Sequence, residues 1–197
     1  MRVIDAKDVL RLADFPTLID GLTGMYKAGC DAMDRMLLSQ PTADGDRGDF
    51  LLQPAWIRGQ AFGVKIANIF PGNEARGKPS IMGTYVLFDG NTGEPLACID
   101  GTAETLVKTA ANSAVASKIL AKAGAATMLM IGAGNLAPYL IAAHASVRPI
   151  RRVMIWNRTA AKARDLAARL NKPGFDVQAV SDPVAAAVRR LGVVCPE

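Results

Sequence analysis

A chain of 197 residues, half of them hydrophobic and 21% charged, is long enough for one large globular domain or two small ones with an ordinary core. No apolar run approaches the ~18 residues of a membrane span, and Asp5, Asp8 and Asp14 near the start do not fit a secretory h-region, so a cytoplasmic chain with no membrane partner is expected. The formal charge of +5 is concentrated in residues 147–172, eight Lys or Arg against Asp165 alone, but this run lacks the interleaved aromatics of a nucleic-acid platform and reads as a solvated helix face.

The first third is helical and then irregular. Residues 5–13 read as a short helix start. Residues 16–36 place Leu18, Leu22, Met25 and Tyr26 at helical spacing behind Pro16 and predict a helix. Residues 41–49, "PTADGDRGD", read as a polar loop. Four short runs rich in β-formers follow, at 50–57, 61–70, 81–89 and 94–100. "GNTG" at 90–93 is a hairpin signal, and an antiparallel meander is predicted. The alanine-rich stretch 102–124 predicts a long helix ended by Gly124. From 127 onward strand and helix alternate: strand 127–131, helix 135–147, strand 152–156, helix 159–170, strand 175–180, helix 183–190, and a last strand from about 192. This order implies a parallel sheet with right-handed crossovers. Cys30, Cys98 and Cys195 are scattered singly with no CxxC pair and read as reduced thiols.

The chemistry is concentrated at one turn. Gly132-Ala133-Gly134-Asn135-Leu136-Ala137 is a G-x-G-x-x-A directly after a predicted strand and opening a predicted helix, the setting of a dinucleotide-binding turn. Gly132 turns the chain sharply. Gly134 lets the backbone approach a pyrophosphate, and Ala137 keeps helix and strand close. N–H groups and the helix dipole then face the anion. About one strand further on, an NAD site would carry Asp or Glu; this chain has Asn157, Arg158 and Thr159. An acid would repel a 2′-phosphate whereas a guanidinium bonds it, so NADP(H) is expected over NAD(H). Thr159 reads either as a phosphate contact or as the cap of the next helix.

Four stretches, "FGVKIANIFPGN" (62–73), "GTYVLFDGNTGEPLACIDGTAETLVKTAANSA" (83–114), "IGAGNLAPYLIAAH" (131–144) and "IWNRTAAKA" (155–163), resemble the ornithine cyclodeaminase/μ-crystallin family. The resemblance implies an α/β protein: an α+β substrate and dimerisation domain over 1–124, then the first half of a Rossmann domain over 125–197. It implies an NAD(P)-dependent reaction on a small imino or amino acid by a homodimer, either reduction of a cyclic imino acid of the Δ1-pyrroline-2-carboxylate type or cyclodeamination of ornithine. Residue by residue, Lys65 in "GVK" matches the family's substrate-site lysine and Arg35 its carboxylate-binding arginine, with Met33 where a proline is usual. Lys108 stands at a position often Arg, Thr109 meets the coenzyme phosphates, and Gln53 lies near a substrate-facing position. Cations at Arg35, Lys65 and Lys108 suit a 2-imino acid, whose carboxylate they would hold. Solvation is the alternative for Lys65. His144 reads as a packing or surface histidine, and no metal-ligand cluster is visible.

The resembled family is longer. Only the first βαβαβ half of a Rossmann sheet is complete here, which would leave an edge strand unpaired. The ending "RRLGVVCPE" reads as a frameshifted or prematurely stopped product, so a non-catalytic nucleotide-binding or small-ligand-binding product stands beside the enzyme.

Overall fold

The computed structural model describes residues 1–29, 31–188 and 193–196. The Cys30 thiol, the end of the helix read over 183–190 and position 192 fall outside them. The chain divides into two compact units, Met1–Ala13 with Met25–Thr105, and Asp14–Gly24 with Leu106–Glu197.

The first unit is built on one sheet. Its elements in chain order are β1 (Arg2–Ile4), α1 (Ala6–Leu12), the end of α2 (Phe15–Ala28), β2 (Asp31–Ala32), β3 (Met36–Pro41), β4 (Arg47–Ile57), β5 (Ala61–Ile69), a 3-10 turn (Pro71–Arg76), β6 (Ile81–Asp89), β7 (Pro95–Asp100) and the start of α3 (Gly101–Leu120). The strand order is β1-β7-β6-β5-β4-β2, with β3 also on β4; β1 runs parallel to β7 and the remaining pairs are antiparallel. The expected meander is therefore present. Its β6–β7 turn is closed by the Asp89 carboxylate, which accepts from the backbone N–H of Asn91 and Thr92, while Gly93 takes φ +74°.

Two expectations fail here. The helix read over 16–36 stops at Ala28, because Gly29 adopts φ +78° and donates its N–H to the Met25 carbonyl, a left-handed cap. The residues beyond it extend into β2 and β3. The loop read over 41–49 shrinks to a turn, since Arg47 already belongs to β4. Asp49 holds this hairpin, accepting from Ser39 Oγ at 2.5 Å and Arg47 Nε at 2.7 Å. β1, three residues long, carries too little periodicity to be read from sequence.

Register decides what shares a face. Gln53, Lys65 and Tyr85 stand side by side across β4, β5 and β6. Trp56, Phe62 and Phe88 form another such row on the opposite face, stacked at 5.0 and 4.6 Å between ring centroids. That second face also carries Met36, Leu38, Phe50 and Met82, all exposed.

In the second unit α2 contributes its length from Phe15 to Gly24 and α3 its length from Leu106. Then come β8 (Thr127–Ile131), α4 (Ala137–Val147), β9 (Arg152–Trp156), α5 (Ala160–Leu170), β10 (Asp176–Ala179), α6 (Pro183–Val188) and β11 (Val193–Pro196). The helix limits differ slightly from those expected: α3 runs from Gly101 and stops at Leu120, short of Gly124, and α4 starts at Ala137 rather than at 135. The sheet is parallel throughout, in the order β10-β9-β8-β11. Near-continuous apolar strands suit a sheet covered by helices. Met128, Met130, Val153 and Ile155 pack with Ile19, Leu140, Ile141 and Leu166. Ala110, Ala111 and Ala114 are fully buried in the same core, where their small side chains let α3 lie close. β9 and β10 lie on one side of β8 and β11 on the other, so the strand order reverses beside β8, the point where open α/β sheets take their ligands.

Candidate functional site

At that point β8 runs into the glycine turn. Gly132 has φ +115°, a conformation that side chains rarely adopt, and its N–H donates to the Trp156 carbonyl at 2.8 Å. The turn is thus stitched to the end of the neighbouring strand. Asn157 adds the second stitch: its Oδ1 accepts the Ala133 N–H at 3.2 Å, and its Nδ2 donates to the Thr159 carbonyl at 2.9 Å. Gly134 and Asn135 are exposed on the turn, and Leu136 occupies the N-cap position of α4. Ala137 is fully buried, which brings the first turn of α4 against the sheet as a small residue there should. A bare, exposed glycine ahead of an 11-residue helix, at the strand-order reversal, is an arrangement that could hold a phosphate group.

Arg158 and Thr159 are exposed at the mouth of the same corner. Thr159 is the N-cap of α5 by backbone position, but its side chain makes no capping bond. Asn157 is the residue whose role sequence reading understated, because its bonds to the turn appear only once β8 and β9 are paired.

The second site lies in the first unit. Lys65 points from β5 toward the first turn of α3, where Nζ donates to Thr105 Oγ1 at 2.5 Å and lies 3.0 Å from Glu104 Oε2. Both side chains of the ion pair are mostly covered, 19% and 23% exposed, so Lys65 is not a solvated surface lysine. Thr105 is itself fixed by donating to the Gly101 carbonyl. Glu104 Oε2 is buried and makes no hydrogen bond of good geometry despite the nearby ammonium. Beside Lys65 stand Gln53 and Tyr85. The Tyr85 ring crosses over Gly63, where a Cβ would come within 2.3 Å of Oη. Burial first, and then the Glu104 charge, push the Tyr85 hydroxyl above its ordinary pKa.

Glu104, Thr105 and Tyr85 escaped the sequence reading. Gly63 was the available signal, since a glycine inside a strand marks a close approach by a neighbouring group. The other expected cations do not join this cluster by any hydrogen bond or ion pair among the described residues. Arg35 is exposed between β2 and β3. Lys108 and Thr109 are exposed on α3 in the second unit.

His144 packs as anticipated. It is 3% exposed, and burial lowers its pKa. Its Nε2 lies 3.1 Å from Ser113 Oγ, while Nδ1 is buried without a partner. Among the described residues Cys98 and Cys195 are not in a disulfide, no three His, Cys, Asp or Glu gather as a metal site, and no helix is long and apolar enough to cross a membrane.

Known proteins resemble the chain along nearly its whole length. A Δ1-pyrroline-2-carboxylate reductase of Colwellia psychrerythraea is 35% identical over 170 residues, 85% of this chain and 54% of the relative. The enzyme of the same name from Paracoccus denitrificans is 37% identical over 148 residues, 75% of this chain and 46% of its own. The chain spans about half the length of these curated relatives. The structure of Thermococcus litoralis Δ1-pyrroline-2-carboxylate reductase in complex with NADH and L-proline superposes with a TM-score of 0.84 at 25% identity, covering 100% of this chain and 61% of that one. With the ornithine cyclodeaminase/mu-crystallin family model matching residues 15–195, this α/β chain with its Rossmann-like parallel sheet belongs to that family.

Proposed function

We propose that the chain belongs to a nicotinamide-dependent reductase of a cyclic 2-imino acid of the Δ1-pyrroline-2-carboxylate type, with the substrate and dimerisation part over 1–124 and the coenzyme part over 125–197. The observation that carries this reading is the glycine turn at the strand-order reversal, with Gly132 at φ +115° and Asn157 fastening it to β9. The likeness to named pyrroline-carboxylate reductases supplies the substrate class.

The coenzyme supplies a hydride. Gly132, Gly134, Asn135 and Leu136 hold its pyrophosphate with Thr109, and Asn157 keeps the turn rigid. Arg158 and Thr159, with no acid beside them, favour NADP(H) over NAD(H). Lys65 binds the substrate carboxylate, and Arg35 and Lys108 add to the positive field around it. The exposed apolar face of β3, β4 and β6, with Met36, Leu38, Phe50 and Met82, is the surface of a homodimer, and the protein works in the cytoplasm.

The test is NADPH oxidation, followed by absorbance, with Δ1-pyrroline-2-carboxylate as the acceptor. Consumption of NADPH with formation of proline supports the reading. Conversion of ornithine to proline and ammonia with no net use of coenzyme replaces it with cyclodeamination. NADPH binding with neither reaction replaces it with a nucleotide-binding product.

A further inference from the structure

The Lys65 site is a balanced charge pair rather than a lone cation, and this bears on which form of substrate it takes. Glu104 Oε2 is ion-paired with Lys65 Nζ at 3.0 Å but in a geometry poor for a hydrogen bond, and a carboxylate with about four lone-pair sites keeps accepting capacity beyond one ammonium. The Lys65 ammonium has three donors and gives one to Thr105. Tyr85 offers a hydroxyl held over Gly63, with no hydrogen bond to it among the described residues. A ligand reaching Lys65 with a carboxylate also meets the Glu104 carboxylate, and a bare anion is repelled by it. The repulsion turns into attraction when the ligand carries a positive N–H next to its carboxylate.

Resting on the reductase reading, we infer that Glu104 accepts the N–H of a protonated cyclic imine while Lys65 and the Tyr85 hydroxyl hold its carboxylate, so that this site selects the zwitterionic iminium carboxylate. The chemistry then balances without a separate acid. The hydride pair forms the new C2–H bond, the C=N π pair moves to nitrogen and cancels its charge, and the product is the secondary amine. Glu104 stabilises a positive charge that the reaction removes. Its loss therefore appears in KM more than in kcat.

The experiment compares, by calorimetry on the full chain, L-proline with tetrahydrofuran-2-carboxylate, the same ring with oxygen replacing the charged nitrogen. The wild-type chain is expected to bind L-proline at least about tenfold more tightly, as a charged contact of this kind gives. Glu104→Gln is expected to abolish that preference and Glu104→Asp to restore part of it. Tyr85→Phe should weaken both ligands alike. Gly63→Ala should also weaken both ligands, because the added Cβ displaces the Tyr85 ring together with its hydroxyl. Thermal unfolding of each variant separates loss of binding from loss of fold. Equal affinity of the wild-type chain for the two ligands, or an undiminished preference in folded Glu104→Gln, overturns the proposal. If NADPH still reduces the imine in that case, only the role of Glu104 falls. A wild-type chain that binds neither ligand and turns over no imine overturns the reductase reading and this inference together.

Discussion

Asn157 Oδ1 receives the Ala133 N–H at 3.2 Å, so the end of β9 holds the middle of the glycine turn in place. The same amide reaches the Thr159 carbonyl at 2.9 Å, and one side chain thereby fixes both the glycine turn and the start of α5. Removing it takes away this stitch, while the Gly132 bond to Trp156 stays. Asn157→Ala is expected to weaken NADPH binding about tenfold, corresponding to one or two hydrogen bonds of ~1 kcal/mol each, with the fold retained. Fluorescence titration with NADPH measures it, and unchanged affinity would remove Asn157 from the site.

The role proposed for Arg158, holding a 2′-phosphate, predicts that the two coenzymes respond differently to its removal. Arg158→Ala is expected to raise the Kd for NADPH by about tenfold to a hundredfold, the range of a charge-assisted bond, and to change that for NADH by less than about twofold. Parallel titrations with both coenzymes check the ratio. Equal losses for the two would assign Arg158 to a general electrostatic role.

Gly101 starts α3 pressed against β6. A Cβ there would fall 2.6 Å from Gly83 C and from Thr84 N, both backbone atoms that cannot move aside. Gly101→Ala is expected to destabilise the protein by about 1–3 kcal/mol or more, read as a lower urea midpoint. Gly124→Ala, which meets nothing within 4 Å, is the control, with a change under ~0.5 kcal/mol.

His144 makes stability depend on acidity. Burial holds its pKa below the ordinary 6.5, so the fold keeps it neutral while the unfolded chain takes up a proton below that value. The stability this neutral imidazole contributes is present above 6.5 and is lost as the pH falls from there toward the lowered native value. Urea midpoints are expected to drop on acidification through this window, and to drop less in His144→Gln. A midpoint that rises on acidification would contradict the buried neutral form.

Phe50 tests the apolar face. Phe50→Asp places a charge in the middle of the exposed row formed with Leu38 and Met82. Sedimentation or light scattering is expected to report a dimer for the wild-type chain and monomers for this variant, as for a charge left unpaired in an apolar interface. A wild-type monomer would refute the assignment of this face.

The sheet of the second unit was legible because its signals are local. A buried strand, a glycine turn and a helix follow one another within a few residues, and each positive-φ or small-residue position leaves its mark in the chain. The β6–β7 hairpin was legible for the same reason, through β-rich runs and the Asp89 turn. The β3 strand was not, because Met36-Leu37-Leu38 shows no alternation and follows a helical pattern that Gly29 interrupts without any proline. The companions of Lys65 were hidden more deeply. Glu104 and Thr105 lie on a different element, and Tyr85 becomes a neighbour only through strand register. The family resemblance marked the lysine; three-dimensional pairing marks the acid that balances it.

The chain passes between its two compact units three times, since Asp14–Gly24 is counted with Leu106–Glu197 and not with the residues on either side. Ile19, fully buried in the core of the later unit, is therefore made long before β8, β9 and α4, against which that core is built. On the ribosome this amphipathic segment must wait, its apolar side uncovered, until the parallel strands emerge. A shortened gene that begins after α3 would deliver the coenzyme-type sheet stripped of Ile19, Ala110, Ala111 and Ala114. Such a fragment is expected to be caught by chaperones rather than to fold.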